Sequence, residues 1–183
     1  MTKLFWIFVL GWLLGCGPAE ESYNTNLPVS GKTGESSLTV DQHGQVVASW
    51  IEQQESMSIL KYSVHRAEGW TDAQTIVSGG DWFVNWADFP AISIHGELWL
   101  AHFLQKSSEE TFSYDVMFMI SSDEGKTWSA PKKLHSDNTL TEHGFVSVVP
   151  YQDGFYVTWL DGRNSSGGGH DHDSGHGGGA MSI

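Results

Sequence analysis

The sequence has one cysteine, Cys16, among its 183 residues. A single cysteine excludes an intrachain disulfide, so the fold must be held by its core and its hydrogen bonds. This cysteine follows an almost wholly apolar run over residues 4–14, which Lys3 precedes. The run is too short to cross a bilayer core of about 30 Å as a permanent helix, and it therefore favours a signal peptide.

The Leu-Leu-Gly-Cys order that ends at Cys16 resembles the bacterial lipobox. The resemblance implies that residues 1–15 are removed and that Cys16 carries a lipid. The protein would then lie in the bacterial cell envelope, anchored to a membrane, with the outer membrane or the cell surface expected. The alternatives are an ordinary signal peptide or an N-terminal membrane anchor. Residues 16–35 are polar without apolar periodicity and are predicted to form a tether.

Basic residues and prolines are also scarce. Lys and Arg number 9 against 22 Asp and Glu, which gives a formal net charge of −13 and no basic stripe for nucleic acid. The five prolines accompany 21 glycines and nine tryptophans. That composition, with no amphipathic helical pattern after the signal, is typical of short strands joined by tight turns. An all-β fold is predicted.

The chain repeats a hairpin pattern from residue 36 onward. Two alternating apolar runs flank a turn at Gly44, and the same arrangement recurs at Gly96 and Gly154. The turn glycines follow one another at intervals of 52 and 58 residues. A period near 50 residues belongs to propeller blades of four strands each.

One turn has a complete motif, Ser-Ser-Asp-Glu-Gly-Lys-Thr-Trp at residues 121–128. Asp123 is short enough to accept hydrogen bonds from the backbone amides that follow it. Gly125 can take the positive φ that such a turn requires. Trp128 is expected to restart the next strand, which is predicted over residues 129–135, with a large apolar group.

This motif resembles the Asp-box of sialidase-like (BNR-repeat) β-propellers, with Ser121, Asp123, Gly125, Thr127 and Trp128 at its defining positions. The resemblance covers residues 36–164 and implies about two and a half four-stranded blades of an expected six. Residues 165–179 read as a Gly/His-rich loop, and residues 180–183 as the start of an incomplete strand. A fragment of a longer protein is therefore expected. The alternative is a small domain that closes by self-association.

The resemblance raises the question of glycosidase activity. Exo-sialidases of this fold clamp the substrate carboxylate with three arginines, attack with a tyrosine activated by a glutamate, and use an aspartate as acid-base. Only Arg66 and Arg163 are present, so the clamp cannot be assembled from this chain alone. Asp88, Asp161 and Arg163 remain catalytic candidates by position. An Asp161–Arg163 salt bridge in the turn is the favoured interpretation of the last two.

The aromatic run over residues 82–89 could form a sugar-stacking platform, although packing between blades is favoured for it. His102 stands where the other two units have a strand tryptophan, which could mark a site or only a partly buried polar residue. No cofactor is required by these residues.

A histidine cluster near the C-terminus is the clearest sign of metal chemistry. His170, His172 and His176 with Asp171 could bind a divalent transition metal, but the flanking glycines would make closure of the loop entropically costly. An insertion without a ligand is the favoured alternative. The sequence thus predicts a membrane-anchored protein that binds or processes glycans. The alternatives are a non-catalytic scaffold for an extracellular protein, and weak metal capture.

Overall fold

The computed structural model describes residues 26–165, and every regular element within them is a strand. The predicted all-β class is therefore confirmed for this part of the chain. The strands, in chain order, are β1 (Lys32–Val40), β2 (Val46–Gln54), β3 (Met57–Arg66), β4 (Gly69–Trp70), β5 (Gln74–Gly79), β6 (Ala91–His95), β7 (Leu98–Lys106), β8 (Tyr114–Ser121), β9 (Lys132–Lys133), β10 (His143–Tyr151) and β11 (Gly154–Asp161).

The strands form three antiparallel sheets in which neighbours in the chain are neighbours in space. The first sheet has the order β1-β2-β3, with β4 and β5 both pairing with β3. The second sheet has the order β6-β7-β8-β9, and β10 and β11 form a two-stranded third sheet. The first two sheets therefore share one up-and-down order, and the third begins in the same way.

A second repeated feature is a bulge in the first strand of the first and third sheets. The pairing register shifts between Gly34 and Ser37 in β1, and between Gly144 and Ser147 in β10. Glu35 and Phe145 both adopt a positive φ there, of 53° and 52°. A non-glycine residue rarely takes this conformation, so its recurrence at matching positions supports a repeated structural unit.

The alternating strand directions give the molecule two ends. The Asp-box end contains the turns at residues 41–45, 96–97, 122–131 and 152–153. The loop end contains residues 80–90, 107–113, 134–142 and 161–165. Contacts between sheets hold each end together. At the Asp-box end, His95 Nδ1 lies 3.2 Å from the Gly154 carbonyl oxygen.

The core lies between the sheets and is centred on the second strands, β2 and β7, whose middle residues are nearly all buried. Tyr62 packs edge-on against Trp99 with ring centroids 5.5 Å apart, and Trp82 stacks on Phe103 at 4.5 Å. A second cluster of Leu104, Tyr114 and Val116 lies nearer the loop end. Burial of these large side chains is the main favourable contribution to stability that the structure shows.

Two expectations about strand limits are corrected. Trp128 lies outside any strand, and β9 is only Lys132–Lys133 rather than a strand over residues 129–135. Beyond these two residues the segment is joined to β8 by single hydrogen bonds, such as that from Ser129 N to the Ile120 carbonyl oxygen, and Pro131 has no backbone N–H to continue the ladder. Gly69 and Trp70 pair with β3 as the short strand β4. The first strand also begins at Lys32, inside the segment predicted as tether.

Candidate functional site

The Asp-box turn is held together by its own side chains. Thr127 donates to Asp123 through its backbone N at 2.8 Å and its hydroxyl at 2.6 Å, and Ser121 Oγ donates at 2.7 Å. These hydrogen bonds, those of Thr127 first, lower the pKa of Asp123 to about 2. Gly125 has a φ of 81°, and its N donates to Ser121 Oγ. The side-chain oxygens of Ser121, Asp123 and Thr127 are thus hydrogen-bonded to one another or to backbone amides within the turn.

The same turn joins the first sheet to the second. Glu124 Oε1 accepts a hydrogen bond from Gln42 Nε2 at 2.6 Å, and the Tyr62 hydroxyl donates to the Gly125 carbonyl oxygen at 3.1 Å. A cleft of about 560 Å³ opens beside it, with Arg66 and Trp99 among its lining residues. Trp99 is itself buried, so its ring cannot offer a stacking surface to a ligand. We assign this end a structural role.

The three catalytic candidates from the sequence all lie at the loop end. Arg163 Nε donates to both carboxylate oxygens of Asp161 at 2.9 Å, which is the salt bridge that the sequence favoured. Asp88 is buried, and its Oδ2 accepts a hydrogen bond from Phe145 N at 2.8 Å. Burial raises the pKa of Asp88, with the nearby Glu142 carboxylate acting in the same direction. Arg66 lies at the opposite end, so the two arginines cannot share one clamp.

The loop end also contains a buried histidine–aspartate cluster that the sequence analysis missed. Its members come from the second and third sheets and from the loop between them: Asp115, His135, Asp137, His143 and Asp161. The His135 and His143 side chains are fully inaccessible, and their rings stack with centroids 3.8 Å apart and an interplanar angle of 9°. Two ligand-like groups occur within it, Asp115–His135–His143 and Asp137–His143–Asp161, each with donor atoms within 4.8 Å of one another.

The strands explain why these residues meet. The register of β8 with β9, continued past Lys133, brings His135 opposite Asp115. His143 begins β10 and pairs with Asp161 at the end of β11. Because the five residues are spread over about fifty positions, no local spacing in the sequence indicates the cluster. One signal was available in the sequence, namely Asp115 as the second residue of the largely apolar strand β8.

Charged side chains surround the cluster. Lys133 Nζ lies 2.7 Å from Asp115 Oδ2, and Arg163 Nη2 lies 3.4 Å from Asp137 Oδ2. The pKa of Asp137 is lowered, because its hydrogen bonds from Thr139 and His135 outweigh the opposing effect of burial. The cluster therefore holds three carboxylates against two cationic side chains, with two imidazoles between them.

A hydrogen-bonded tyrosine–glutamate pair lies beside the cluster. The Tyr114 hydroxyl donates to Glu142 Oε1 at 2.7 Å, and Tyr114 is only 1% exposed. Burial, followed by the hydrogen bond to Glu142 and the charges of Glu142 and Asp88, raises the pKa of Tyr114 far above its usual range. Phe83 stacks on its ring at 4.1 Å. A tyrosine held neutral and covered in this way is suited to packing and not to nucleophilic attack.

The aromatic run over residues 82–89 divides between two roles. Trp82 and Phe83 pack against the core, as favoured from the sequence. Trp86 is 85% exposed in a turn in which Ala87 N donates to Asn85 Oδ1 at 2.8 Å. Phe112, in the neighbouring loop, is also exposed. His102 is buried in β7, and burial lowers its pKa to about 4.

The expected lipid site at Cys16 and the expected metal ligands His170, Asp171, His172 and His176 lie outside residues 26–165. Within residues 26–165, no helix is long and apolar enough to cross a membrane. The described chain is thus an all-β protein of successive antiparallel sheets with a buried histidine–aspartate cluster at one end. Comparison with known proteins finds no family model that matches the chain and no significant match among curated proteins.

Proposed function

We propose that this chain is part of an extracytoplasmic, lipid-anchored, sialidase-like β-propeller that binds glycans without cleaving them. Two sheets follow one another with the same up-and-down order, a third begins in the same way, and the Asp-box joins the first two. These features support successive propeller blades, in which a ligand would meet the end opposite the Asp-box. The signal-like segment and Cys16 support export and anchoring.

The observation that carries the binding proposal is Trp86. Its side chain is 85% exposed at the loop end, whereas most other aromatic residues of the run are at least partly covered. An indole exposed to this extent leaves a large apolar face in water, and covering it with the apolar face of a sugar ring would be favourable. Asn85 and Asp88 pair across the turn, so Trp86 is presented by a closed turn.

Two findings argue for binding over hydrolysis. Arg66 and Arg163 are at opposite ends, and Arg163 is already paired with Asp161 and Asp137. Tyr114 is hydrogen-bonded to Glu142 in the way a sialidase nucleophile would be, but it is buried and its pKa is raised. Among residues 26–165 the two arginines cannot form the substrate clamp, and the tyrosine that is hydrogen-bonded to a glutamate is buried.

The test is a glycan array followed by calorimetry with the glycans retained. Trp86→Ala should lose about five- to 150-fold in affinity, since stacking on an aromatic ring is worth about 1–3 kcal/mol by analogy with stacked bases. Trp86→Phe should keep part of it. Tyr151→Ala is the matched control, because Tyr151 is an exposed aromatic residue near the Asp-box end. Equal affinity of the wild type and Trp86→Ala would refute the proposal, as would a folded protein that retains no glycan.

A further inference from the structure

The second inference concerns the buried cluster and is independent of glycan binding. His135 Nδ1 lies 2.8 Å from Asp137 Oδ2, which is hydrogen-bonding distance. Because a carboxylate can only accept, Nδ1 carries the proton, and a neutral His135 has none left for Nε2. That nitrogen faces Asp115 Oδ1 at 3.3 Å. Two electron-rich atoms are thus held face to face.

Neither atom has another partner in the described structure. His135 Nε2 and Asp115 Oδ1 are both buried without a hydrogen bond within residues 26–165. A buried polar atom left without a partner is destabilising, and native proteins contain few of them. A cation between the two atoms would satisfy both. The candidates are a proton on His135 and a metal ion.

A proton is disfavoured by the surroundings. The ring of His143 is stacked on that of His135 with centroids only 3.8 Å apart, so a charge on one imidazole opposes a charge on the other. Both imidazole side chains are also fully inaccessible, and burial disfavours a charged group. The neutral imidazole is the form that binds metals.

The donor set and its spacing suit a transition metal. In a tetrahedral site with bonds of about 2.0–2.1 Å, ligand atoms are about 3.3 Å apart. His135 Nε2 and Asp115 Oδ1 have this separation, and His143 Nδ1 lies 3.9 Å from the same oxygen. We propose that Asp115, His135 and His143 bind one divalent transition metal ion of the zinc type.

Surrounding groups already orient these ligands. Lys133 Nζ occupies Asp115 Oδ2 at 2.7 Å, which leaves Oδ1 to face the histidines. Asp137 Oδ2 holds Nδ1 of His135, and Thr139 N donates to Asp137 Oδ1 at 3.1 Å. A carboxylate behind a ligating imidazole is the usual arrangement around protein-bound zinc.

Binding requires one local rearrangement. Metal bonds lie in the plane of an imidazole, and two stacked, parallel rings cannot both point at one ion. His143 must therefore turn out of the stack and exchange its Nδ1 contact with the Thr141 carbonyl oxygen, now 3.2 Å, for the metal. Its Nε2–H can then donate towards Asp137 Oδ1, now 3.3 Å away. The ion would join β8, the segment after β9, and β10, and so tie the second sheet to the third.

The experiment uses a parent chain in which His170, His172 and His176 are changed to alanine, so that the C-terminal histidines cannot contribute. Chelator-treated parent is titrated with Co²⁺, and separately with Zn²⁺. We expect one ion per chain, visible Co²⁺ bands of a four-coordinate nitrogen–oxygen site, and a raised melting temperature with Zn²⁺. His135→Gln and Asp115→Asn should weaken binding at least about 100-fold, and Asp137→Asn about 10–100-fold. His43→Gln, an exposed histidine at the Asp-box end, should bind as the parent does.

Circular dichroism checks that each variant is folded. Imidazole ¹⁵N spectra of the parent test the proposal without any change to the three ligands, since Zn²⁺ should shift the resonance of a ring nitrogen in each of two histidines. No saturable binding by the parent, or unchanged binding by folded His135→Gln and Asp115→Asn, would overturn the proposal. The proposal would also be overturned if His135 were doubly protonated at neutral pH and unaffected by Zn²⁺, because a proton would then be the cation between His135 Nε2 and Asp115 Oδ1. None of these results bears on Trp86→Ala, so the two proposals fail separately.

Discussion

The buried His102 should make the stability of the fold depend on pH. Burial lowers its pKa in the folded state to about 4, against an ordinary value of 6.5, although a hydrogen bond with the Phe89 backbone opposes the shift. Between these values the unfolded chain binds the proton more readily, so stability falls as pH falls below 6.5, and the loss is complete below 4. A difference of 2.5 pH units corresponds to about 3 kcal/mol in full, of which about 2 kcal/mol is lost between pH 7 and pH 5.

His102→Leu isolates this contribution, because it removes the titrating group and keeps an apolar side chain in β7. Denaturant unfolding is followed by tryptophan fluorescence for both proteins at pH 7, 6 and 5. The wild type should lose about 2 kcal/mol more than the variant between pH 7 and pH 5. Other titrating groups affect both proteins alike and cancel in the comparison. Parallel stability curves for the two proteins would show that the pKa of His102 is the same in the folded and unfolded states, and would refute the reasoning.

Two further predictions concern the turn motif and the N-terminus. Asp123→Ala removes the acceptor of the Thr127 hydrogen bonds and should lower the melting temperature, whereas Ser122→Ala, at an exposed position, should not. Since the pKa of Asp123 is about 2, the difference in melting temperature should persist down to pH 4 and shrink below it. An unchanged melting temperature would show that the motif is not structural. Cys16→Ser should abolish labelling by a fatty-acid analogue in a bacterial host and leave unprocessed precursor, and equal labelling of both forms would exclude lipid attachment.

Local patterns made the hairpins predictable. A turn glycine between two alternating apolar runs determines both the strand pair and its faces, and Gly44, Gly96 and Gly154 lie within turns or next to them. The Asp-box turn was also predictable, because the hydrogen bonds among Ser121, Asp123 and Thr127 lie within seven residues of the chain. The strand limits were not predictable, because the extended segment around Trp128 has strand-like residues but pairs with β8 only at Lys132 and Lys133.

The candidate sites were harder to predict because they depend on tertiary pairing. Asp115 and His135 meet through the pairing of β8 with β9, and His143 reaches them only when the third sheet packs against the second. The same holds for Tyr114 and Glu142, which are 28 residues apart. Trp82 is buried and Trp86 is exposed. The aromatic run in the sequence does not distinguish the two, because exposure depends on how the turn is folded.

The central claim is that the Asp-box end holds the fold together while the loop end binds the ligand. Amide ¹H–¹⁵N spectra of the chain, titrated with a glycan retained on the array, test it directly. We expect shifts in the Trp86 indole and in residues 107–113, with residues 121–128 unchanged. Shifts concentrated around Arg66 and Glu124, in the cleft at the Asp-box end, would contradict the claim.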